Sequence, residues 1–234
     1  HAFDALVVGA GIAGASLAAH LAADRRVALI EAEDAAGYHS TGRSAAIWLQ
    51  NYGPPDVRAL TGLSRRFFEE PPPGFAGAPL LNRRPVVFLA PPEQREDLRL
   101  MLAEGVGLRE AGPDEVRALV PALRPGYAVA AAIEDDAFDV DVAALHGDFL
   151  RRVRAAGGAL VLGGRTGRVE RARGTWRVRA GAGEFTAPVL VDAAGAWGDE
   201  DHAAYWIDDD AHGRVGVVRL EDLTDPTPLF DLRV

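Results

Sequence analysis

Three glycines near the start of the chain constrain its fold more than any other feature. Gly9, Gly11 and Gly14 directly follow the apolar residues 5–8, whose length and β-branched content are typical of a buried parallel strand. This spacing predicts a sharp turn out of the strand, a close approach of the backbone to a pyrophosphate, and tight packing of the next helix. We expect that helix at about residues 12–23, with its N-terminal N–H groups directed at the phosphate.

A second apolar stretch, residues 27–30, follows the predicted helix and ends in Glu31. A carboxylate about 20 residues beyond such glycines is placed to accept hydrogen bonds from the two ribose hydroxyls of an adenosine. Strand, glycines, helix, strand and acid therefore come in the order of a dinucleotide-binding βαβ unit, and the acid disfavours NADP. An ordinary βαβ corner is the alternative, and the motif alone leaves NAD and FAD open.

The segment that follows Glu31 distinguishes between NAD and FAD. Residues 32–46 read AEDAAGYHSTGRSAA, and together with the early glycines they resemble the FAD-dependent oxidoreductases of the D-amino-acid oxidase, glycine oxidase and sarcosine oxidase family. The resemblance implies that residues 42–46 lie against the pyrophosphate and the flavin. Small side chains there let the backbone approach a flat ring, and Arg43 is suited to pair with phosphate oxygens. A solvated surface arginine is the alternative for Arg43.

Two later stretches extend the resemblance. Residues 189–192 are predicted to form an apolar strand, and the sequence VDAAGAW at 191–197 resembles the family's returning strand and turn beside FAD. Thr166 aligns with a position whose backbone contacts the adenine in the family, although an exposed strand residue is the alternative. The motif and the resemblance assign the following residues to the cofactor: Gly9, Ala10, Gly11, Ile12, Ala13, Gly14, Glu31, Ala32, Gly42, Arg43, Ser44, Ala45, Ala46, Thr166, Ala194, Gly195 and Trp197.

These patterns predict an α/β fold with two domains. The resemblance implies a Rossmann-like FAD-binding domain with a parallel sheet, formed by residues 1–79 and 140–200, and an inserted α+β domain of substrate type at residues 80–139. Within the insertion, strands are predicted at 84–90 and 127–133, and helices at 94–104 and between Pro113 and Pro121.

The resemblance ends at about Gly198, and the C-terminal part of a family member is not matched. Residues 201–234 form an atypical segment in which we expect strands at 203–207, 215–220 and 229–234. This segment vaguely resembles the central strands of an N-acetyltransferase, without the glycine-rich pyrophosphate loop of such enzymes.

Three further sequence patterns lead to structural expectations. Phe67 and Phe68 end a helical pattern that the prolines at 71–73 stop, and we expect both side chains in the core. Asp141 is a predicted N-cap for the next helix. The acids at positions 134, 135, 136, 139 and 141 lack the glycine and the terminal glutamate of a calcium loop, so we expect a solvated acidic turn and no metal site.

Composition limits the classes of partner. The formal net charge is −9, which argues against a nucleic-acid or anionic-membrane surface. The chain contains no cysteine, so disulfides, thiolate metal sites and a cysteinyl–flavin bond are excluded, and we expect non-covalent FAD. No apolar run approaches the roughly eighteen residues of a membrane span, and we expect a cytoplasmic protein.

The resemblance implies an enzyme, a flavoprotein that oxidises the C–N bond of a small amine or amino acid by hydride transfer to FAD. It assigns no catalytic residue to this chain. For His39, beside the predicted flavin segment, we favour a structural hydrogen bond over a catalytic role. The alternatives are a truncated, catalytically incomplete FAD- or dinucleotide-binding remnant and an NAD-dependent dehydrogenase.

Overall fold

The structure is a computed structural model that describes residues 1–198, 206–209 and 213–216. The chain divides into two compact units. The first unit comprises His1–Ser40 and Phe149–Val234, and the second comprises Thr41–Asp148.

Two short 3₁₀ turns, Pro92–Gln94 and Gly195–Trp197, occur among the described residues. The described residues also form five α-helices and fifteen β-strands. In chain order these are β1 (Ala5–Val8), α1 (Ile12–Leu21), β2 (Val27–Ile30), β3 (Ile47–Trp48), α2 (Pro55–Glu69), β4 (Leu81–Arg83), β5 (Val86–Ala90), α3 (Arg95–Glu104), β6 (Leu108–Glu110), α4 (Pro113–Leu119), β7 (Ala130–Glu134), β8 (Phe138–Val140), α5 (Val142–Ala155), β9 (Ala159–Val161), β10 (Thr166–Ala172), β11 (Thr175–Ala180), β12 (Gly183–Ala187), β13 (Val189–Asp192), β14 (Trp206–Asp209) and β15 (Gly213–Gly216).

A four-stranded parallel sheet forms the first unit's centre. Its strand order is β13-β1-β2-β9, and every neighbouring pair is parallel. β1 and β2 are buried along their whole length, as their continuous apolar sequences predict. The predicted α/β fold with a parallel sheet is therefore confirmed. Because the strands are parallel, the loops after β1, β2, β9 and β13 meet at one edge of the sheet, which is where open α/β sheets bind ligands.

An antiparallel sheet of β10, β11 and β12 shares a hydrophobic core with the parallel sheet. Leu6 and Ile30 contribute from the parallel strands, and Val178 and Phe185 contribute from the antiparallel ones. This shared core fixes the start of β10 relative to the carboxyl ends of β1 and β2.

The second unit contains two three-stranded antiparallel sheets, β3-β8-β4 and β5-β7-β6. Helix α3 packs on the second sheet through Leu98, and α4 packs on it through Val116. α5 begins in this unit, where Asp141 Oδ1 accepts a hydrogen bond of 2.8 Å from the Ala144 N–H. The predicted N-cap is therefore confirmed.

Several predicted boundaries differ from the structure. The strand expected at 84–90 is interrupted before Val86, because Pro85 has no N–H to continue a ladder; β4 pairs with β8 and β5 pairs with β7. Phe67 and Phe68 are only half-buried, with the Phe67 ring centroid 5.0 Å from that of Phe75.

The predicted domain boundaries can be compared with the bounds of the two units. Residues 80–139 lie wholly within the second unit, and so do residues 41–79 and 140–148. The assignment of cofactor and substrate roles to these parts stays a prediction. β14 and β15 form an antiparallel pair that overlaps two of the predicted C-terminal strands, whereas the strand predicted at 229–234 lies outside the described residues.

The expectation of a solvated acidic turn is wrong for Glu134, the last residue of β7. Glu134 is 1% exposed, and its carboxylate accepts hydrogen bonds of 2.7 Å from the Gln50 N–H and from Asn51 Nδ2. Asp135 pairs with Arg109 at 2.5 Å, and this hydrogen bond holds the pKa of Asp135 below its usual value. Among the described residues, no group of three or more histidine or acidic side chains is arranged to hold a metal ion.

None of the described helices has both the length and the apolar character that crossing a membrane requires.

Candidate functional site

Gly9 forms the turn at the carboxyl end of β1. Its φ of 96° lies in the region that favours glycine, and its N–H donates to the Ile30 carbonyl at 2.7 Å. A Cβ at Gly9 would lie 2.3 Å from the Ala193 carbonyl oxygen and 2.9 Å from Ala194 Cα. Only glycine therefore lets this turn pass so close to the segment that follows β13.

Gly14 lets α1 approach the same turn. A Cβ at Gly14 would lie 1.8 Å from the Gly9 carbonyl oxygen, far inside any real contact. The close packing of the helix that was predicted for the third glycine is therefore present in the structure.

The N-terminus of α1 suits an anion. Gly11 is its N-cap, and no side chain of the described residues caps it. The first turn contains Ile12, Ala13, Gly14 and Ala15, so it carries no carboxylate to compete with a phosphate for the helix dipole. A ten-residue helix with this N-terminus is typical of a phosphate site.

Glu31 is fixed against the glycine turn. Its Oε2 accepts the Ala10 N–H at 2.8 Å and its Oε1 accepts the Glu33 N–H at 3.0 Å. A carboxylate offers about four lone-pair sites, so these two bonds orient the group while leaving capacity for hydroxyl donors. Glu31 and Ala32 are half-buried at the carboxyl end of β2, where sequence analysis placed the ribose.

The turn after β13 forms the opposite side of the glycine turn. The Ala193 N–H donates to the Val8 carbonyl at 2.7 Å, and the Ala194 N–H donates to Asp192 Oδ1 at 2.9 Å. Gly195 has a φ of 63° and begins the 3₁₀ turn that ends at Trp197. The predicted residues Ala194, Gly195 and Trp197 thus lie on a short segment tied to the end of β1.

Thr166 is buried, so the alternative of an exposed strand residue is wrong. It begins β10 beside an irregularity in the pairing with β11. The loop before it is tied to β2, because the Gly164 N–H donates to the Glu31 carbonyl at 2.8 Å. Contact of Thr166 with an adenine stays a prediction.

Residues 42–46 lie in the second unit, unlike the other predicted cofactor residues. The positions from Gly42 to Ala45 are exposed, and Ser44 Oγ accepts the Ala46 N–H at 3.0 Å. Ala46 has a φ of 55°, a left-handed conformation that is uncommon for alanine. Its carbonyl accepts the Val140 N–H at 2.7 Å, which anchors the segment to the end of β8.

His39 makes the structural hydrogen bond that was predicted for it, and its partners were not predicted. Its Nε2 lies 2.9 Å from Glu33 Oε1, and its ring centroid lies 4.2 Å from that of Trp197. Glu33 was not predicted as a site residue, although the sequence places this second acid two residues after Glu31.

Comparison with known protein families gives one match over most of the chain. Residues 4–226 match the family described as "DAO: FAD dependent oxidoreductase". The match continues past residue 198, where the resemblance was expected to end, so that limit is corrected. It also leaves the acetyltransferase likeness of the C-terminal segment without support.

Several solved structures of similar fold come from larger proteins. Glycine oxidase from Geobacillus kaustophilus matches with a TM-score of 0.76 and 22% identity, over 87% of this chain and 58% of that chain. FAD-bound L-α-glycerophosphate oxidase from Mycoplasma pneumoniae matches with a TM-score of 0.75 and 16% identity, over 87% of this chain and 56% of that chain. L-Proline dehydrogenase from P. horikoshii matches with a TM-score of 0.68 and 21% identity, over 86% of this chain and 55% of that chain. The chain thus spans little more than half the length of these proteins, and at such identities the likeness shows the fold.

Proposed function

The chain belongs to the DAO family of FAD-dependent oxidoreductases, and we propose that it binds FAD non-covalently and oxidises the C–N bond of a small amine or amino acid. The observation that carries the proposal is the glycine turn with Glu31, whose Oε2 accepts the Ala10 N–H at 2.8 Å. The family is FAD-dependent, which favours FAD over the NAD of the dehydrogenase alternative.

The residues of the first unit fit a dinucleotide. The backbone at Gly9 and Gly14 leaves no room for a Cβ, and such a tight turn at a helix N-terminus without a side-chain cap suits a pyrophosphate. Glu31 retains acceptor sites for ribose hydroxyls. In this proposal the turn at 194–197 also contacts the cofactor.

The second unit contributes the segment at 42–46. Arg43 is exposed and its guanidinium is suited to bidentate pairing with phosphate oxygens. The small residues Gly42, Ser44 and Ala45 leave the backbone accessible to a planar ring. We propose that residues 42–46 contact FAD.

FAD, when bound, supplies the acceptor for the hydride that leaves the substrate carbon. The chain's own residues orient the cofactor, and the substrate must be held with its reacting carbon close to the cofactor. The names of the similar structures include oxidases or dehydrogenases of glycine and proline, and this supports an amine or amino-acid substrate. The proposal includes no nucleic-acid partner, in keeping with the net charge of −9. It also includes a cytoplasmic location.

A catalytically incomplete FAD-binding protein is the second candidate. It is favoured by the limited coverage, since the chain matches only 58% of the glycine oxidase. A chain of this kind retains the first unit's site without turnover.

The first experiment is an absorption spectrum of the purified chain after incubation with FAD, recorded before and after denaturation. We expect flavin bands at one FAD per chain, released as free FAD on unfolding. Glu31→Ala is expected to weaken FAD binding about tenfold, because the ribose hydroxyls lose a charged acceptor. Glu96→Ala, which removes an exposed carboxylate of the second unit, is the matched control and should bind as the unaltered chain does.

The second experiment separates the two candidates. Glycine, L-proline and a set of D- and L-amino acids are added anaerobically to the FAD-loaded chain, and loss of the oxidised flavin bands is followed. Bleaching by any of them supports the oxidoreductase. Stable FAD binding without bleaching by any amine supports the incomplete protein, and failure to bind FAD contradicts both.

A further inference from the structure

His39 contacts two separate segments at the cofactor edge of the sheet. Its Nε2 lies 2.9 Å from Glu33 Oε1, and because a carboxylate only accepts, Nε2 is the donor. On the other side its ring lies against Trp197, with centroids 4.2 Å apart and the planes tilted by 46°. Tyr38 meets the ring edge-on at 5.0 Å. We call Glu33, His39 and Trp197 the His39 cluster.

Glu33 connects His39 to Glu31, the acid of the proposed cofactor site. The Glu33 N–H donates to Glu31 Oε1 at 3.0 Å, and its carbonyl accepts the Gly163 N–H at 2.8 Å. Movement of Glu33 therefore changes the position of the carboxylate that we assign to the ribose.

Trp197 connects His39 to the turn that follows β13. It ends the 3₁₀ turn that starts at Gly195, on the segment whose Ala193 N–H is bonded to the end of β1. β13 and β2 are not neighbours, since β1 lies between them. The His39 cluster thus joins loops from two strands that the sheet itself does not pair.

The exposure of the His39 cluster argues against a mainly stabilising role. The side chains of His39 and Glu33 are 32% and 34% exposed, and a polar contact at that exposure, charged or not, contributes little to folding. A side chain that binds both walls of a ligand site instead restricts their relative motion. Restricting a site before binding increases affinity because less ordering remains to be done.

We propose that His39 is a positioning residue that holds the Glu31–Glu33 segment and the 195–197 turn at the separation that FAD requires. This inference rests on the proposed FAD binding. It assigns His39 no contact with the reacting atoms.

Three substitutions separate the two contacts of His39. His39→Gln keeps a donor near the position of Nε2 and removes the ring; His39→Phe keeps a ring against Trp197 and removes the donor; His39→Ala removes both. His20→Gln is the matched control, because His20 also belongs to the first unit, has Nδ1 2.7 Å from the Ser16 carbonyl and lies near an aromatic ring, that of Phe149.

The measurements are the FAD dissociation constant, from flavin fluorescence, and the melting temperature of each cofactor-free chain. We expect His39→Ala to raise the dissociation constant about tenfold, and His39→Gln and His39→Phe to raise it about threefold each, in line with the loss of single partly exposed contacts. The cofactor-free melting temperatures should stay within about 2 °C of the unaltered chain, as small changes in stability predict. His20→Gln should leave the dissociation constant unchanged.

Three outcomes overturn the inference. Unchanged FAD affinity in His39→Ala contradicts it while leaving the proposed function intact. A large fall in the cofactor-free melting temperature, in step with the loss of affinity, shows a merely structural role. Failure of the unaltered chain to bind FAD overturns the proposed function and this inference together.

Discussion

The substitution Gly14→Ala tests the geometry of the candidate site. Alanine is the best helix former, and at an unobstructed helix position it is expected to stabilise by about 0.5 to 1 kcal/mol relative to glycine. At Gly14, however, the new Cβ would lie 1.8 Å from the Gly9 carbonyl oxygen and 3.3 Å from the Ala193 Cβ. Propensity and packing therefore predict opposite signs at this position.

The magnitude follows from the distance that must open. A carbon–oxygen contact reaches its optimum only at well over 3 Å, so α1 and the Gly9 turn must separate by more than about 1 Å. Strain of this kind in a packed interior costs about 1 to 3 kcal/mol, and here the obstructing atom is backbone, which places the cost near the upper value. After the helix-propensity gain is subtracted, we expect a net loss of about 2 kcal/mol.

The assay is thermal unfolding followed by circular dichroism, with an FAD titration of the same samples. For a chain of this size, a loss of about 2 kcal/mol lowers the melting temperature by about 4 to 8 °C. FAD binding is expected to weaken at least tenfold, because the N–H groups of the first turn of α1 move away from the Gly9 turn.

Gly147→Ala is the matched control for this prediction. Gly147 lies inside α5, and no described atom lies within 4 Å of an added Cβ there. Alanine should therefore raise the free energy of unfolding by about 0.5 to 1 kcal/mol. If Gly14→Ala behaves like Gly147→Ala and binds FAD normally, the close approach of α1 to the Gly9 turn is refuted.

Three other perturbations test the second unit. Glu134→Ala leaves the Asn51 amide without its buried acceptor and should lower the free energy of unfolding by about 2 to 4 kcal/mol in urea denaturation; a loss below about 1 kcal/mol contradicts this. Ala46→Gly relieves a φ of 55° and should raise stability by about 0.5 to 1 kcal/mol, after the entropy of glycine is allowed for, with an unchanged or lower melting temperature as the contrary result. Arg109 lowers the pKa of Asp135, so this pair stabilises the fold above the usual carboxylate pKa and the contribution is lost as pH falls through the lowered value. Arg109→Met should therefore lose less stability than the unaltered chain when pH falls from about 5 to about 2, measured by urea denaturation at each pH, and an equal loss contradicts the assignment.

The elements around the glycine turn could be predicted because local sequence determines them. β1, β2 and β13 have the predicted residues, since each is a short apolar run bounded by small, polar or acidic residues. α1 begins at Ile12, as predicted, and ends at Leu21, two residues early. The hydrogen bonds that fix Glu31 lie between residues close in sequence or on neighbouring strands, so a familiar spacing indicates them.

The burial of Glu134 could not be predicted in this way. Its carboxylate is satisfied by Asn51, which lies 83 positions earlier in the chain. A run of acids in a sequence is typical of a solvent-exposed segment. Burial of one of these acids becomes favourable only when a distant amide approaches it and donates a hydrogen bond.

The helical spacing of apolar residues in α2 does not show whether they are buried. Leu60 and Leu63 recur at helical spacing, yet they are 67% and 78% exposed. Periodicity shows which side chains share a face, while the presence of a partner for that face depends on the rest of the structure. The burial of Thr166 could likewise not be predicted from local sequence, because it depends on the core that β10 to β12 share with the parallel sheet.

The bonds that shape the glycine turn are internal to the first unit, so the proposed cofactor binding and the proposed turnover can be tested separately. Gly9 is bonded to Ile30, Ala10 to Glu31 and Ala193 to Val8, and these partners all precede residue 194. The structures of similar fold are longer, with 58% of the glycine oxidase matched, so their additional residues are not required to form these bonds. FAD binding can therefore be measured without turnover, and a failure of turnover in an FAD-loaded chain would count against the substrate proposal without counting against the glycine turn.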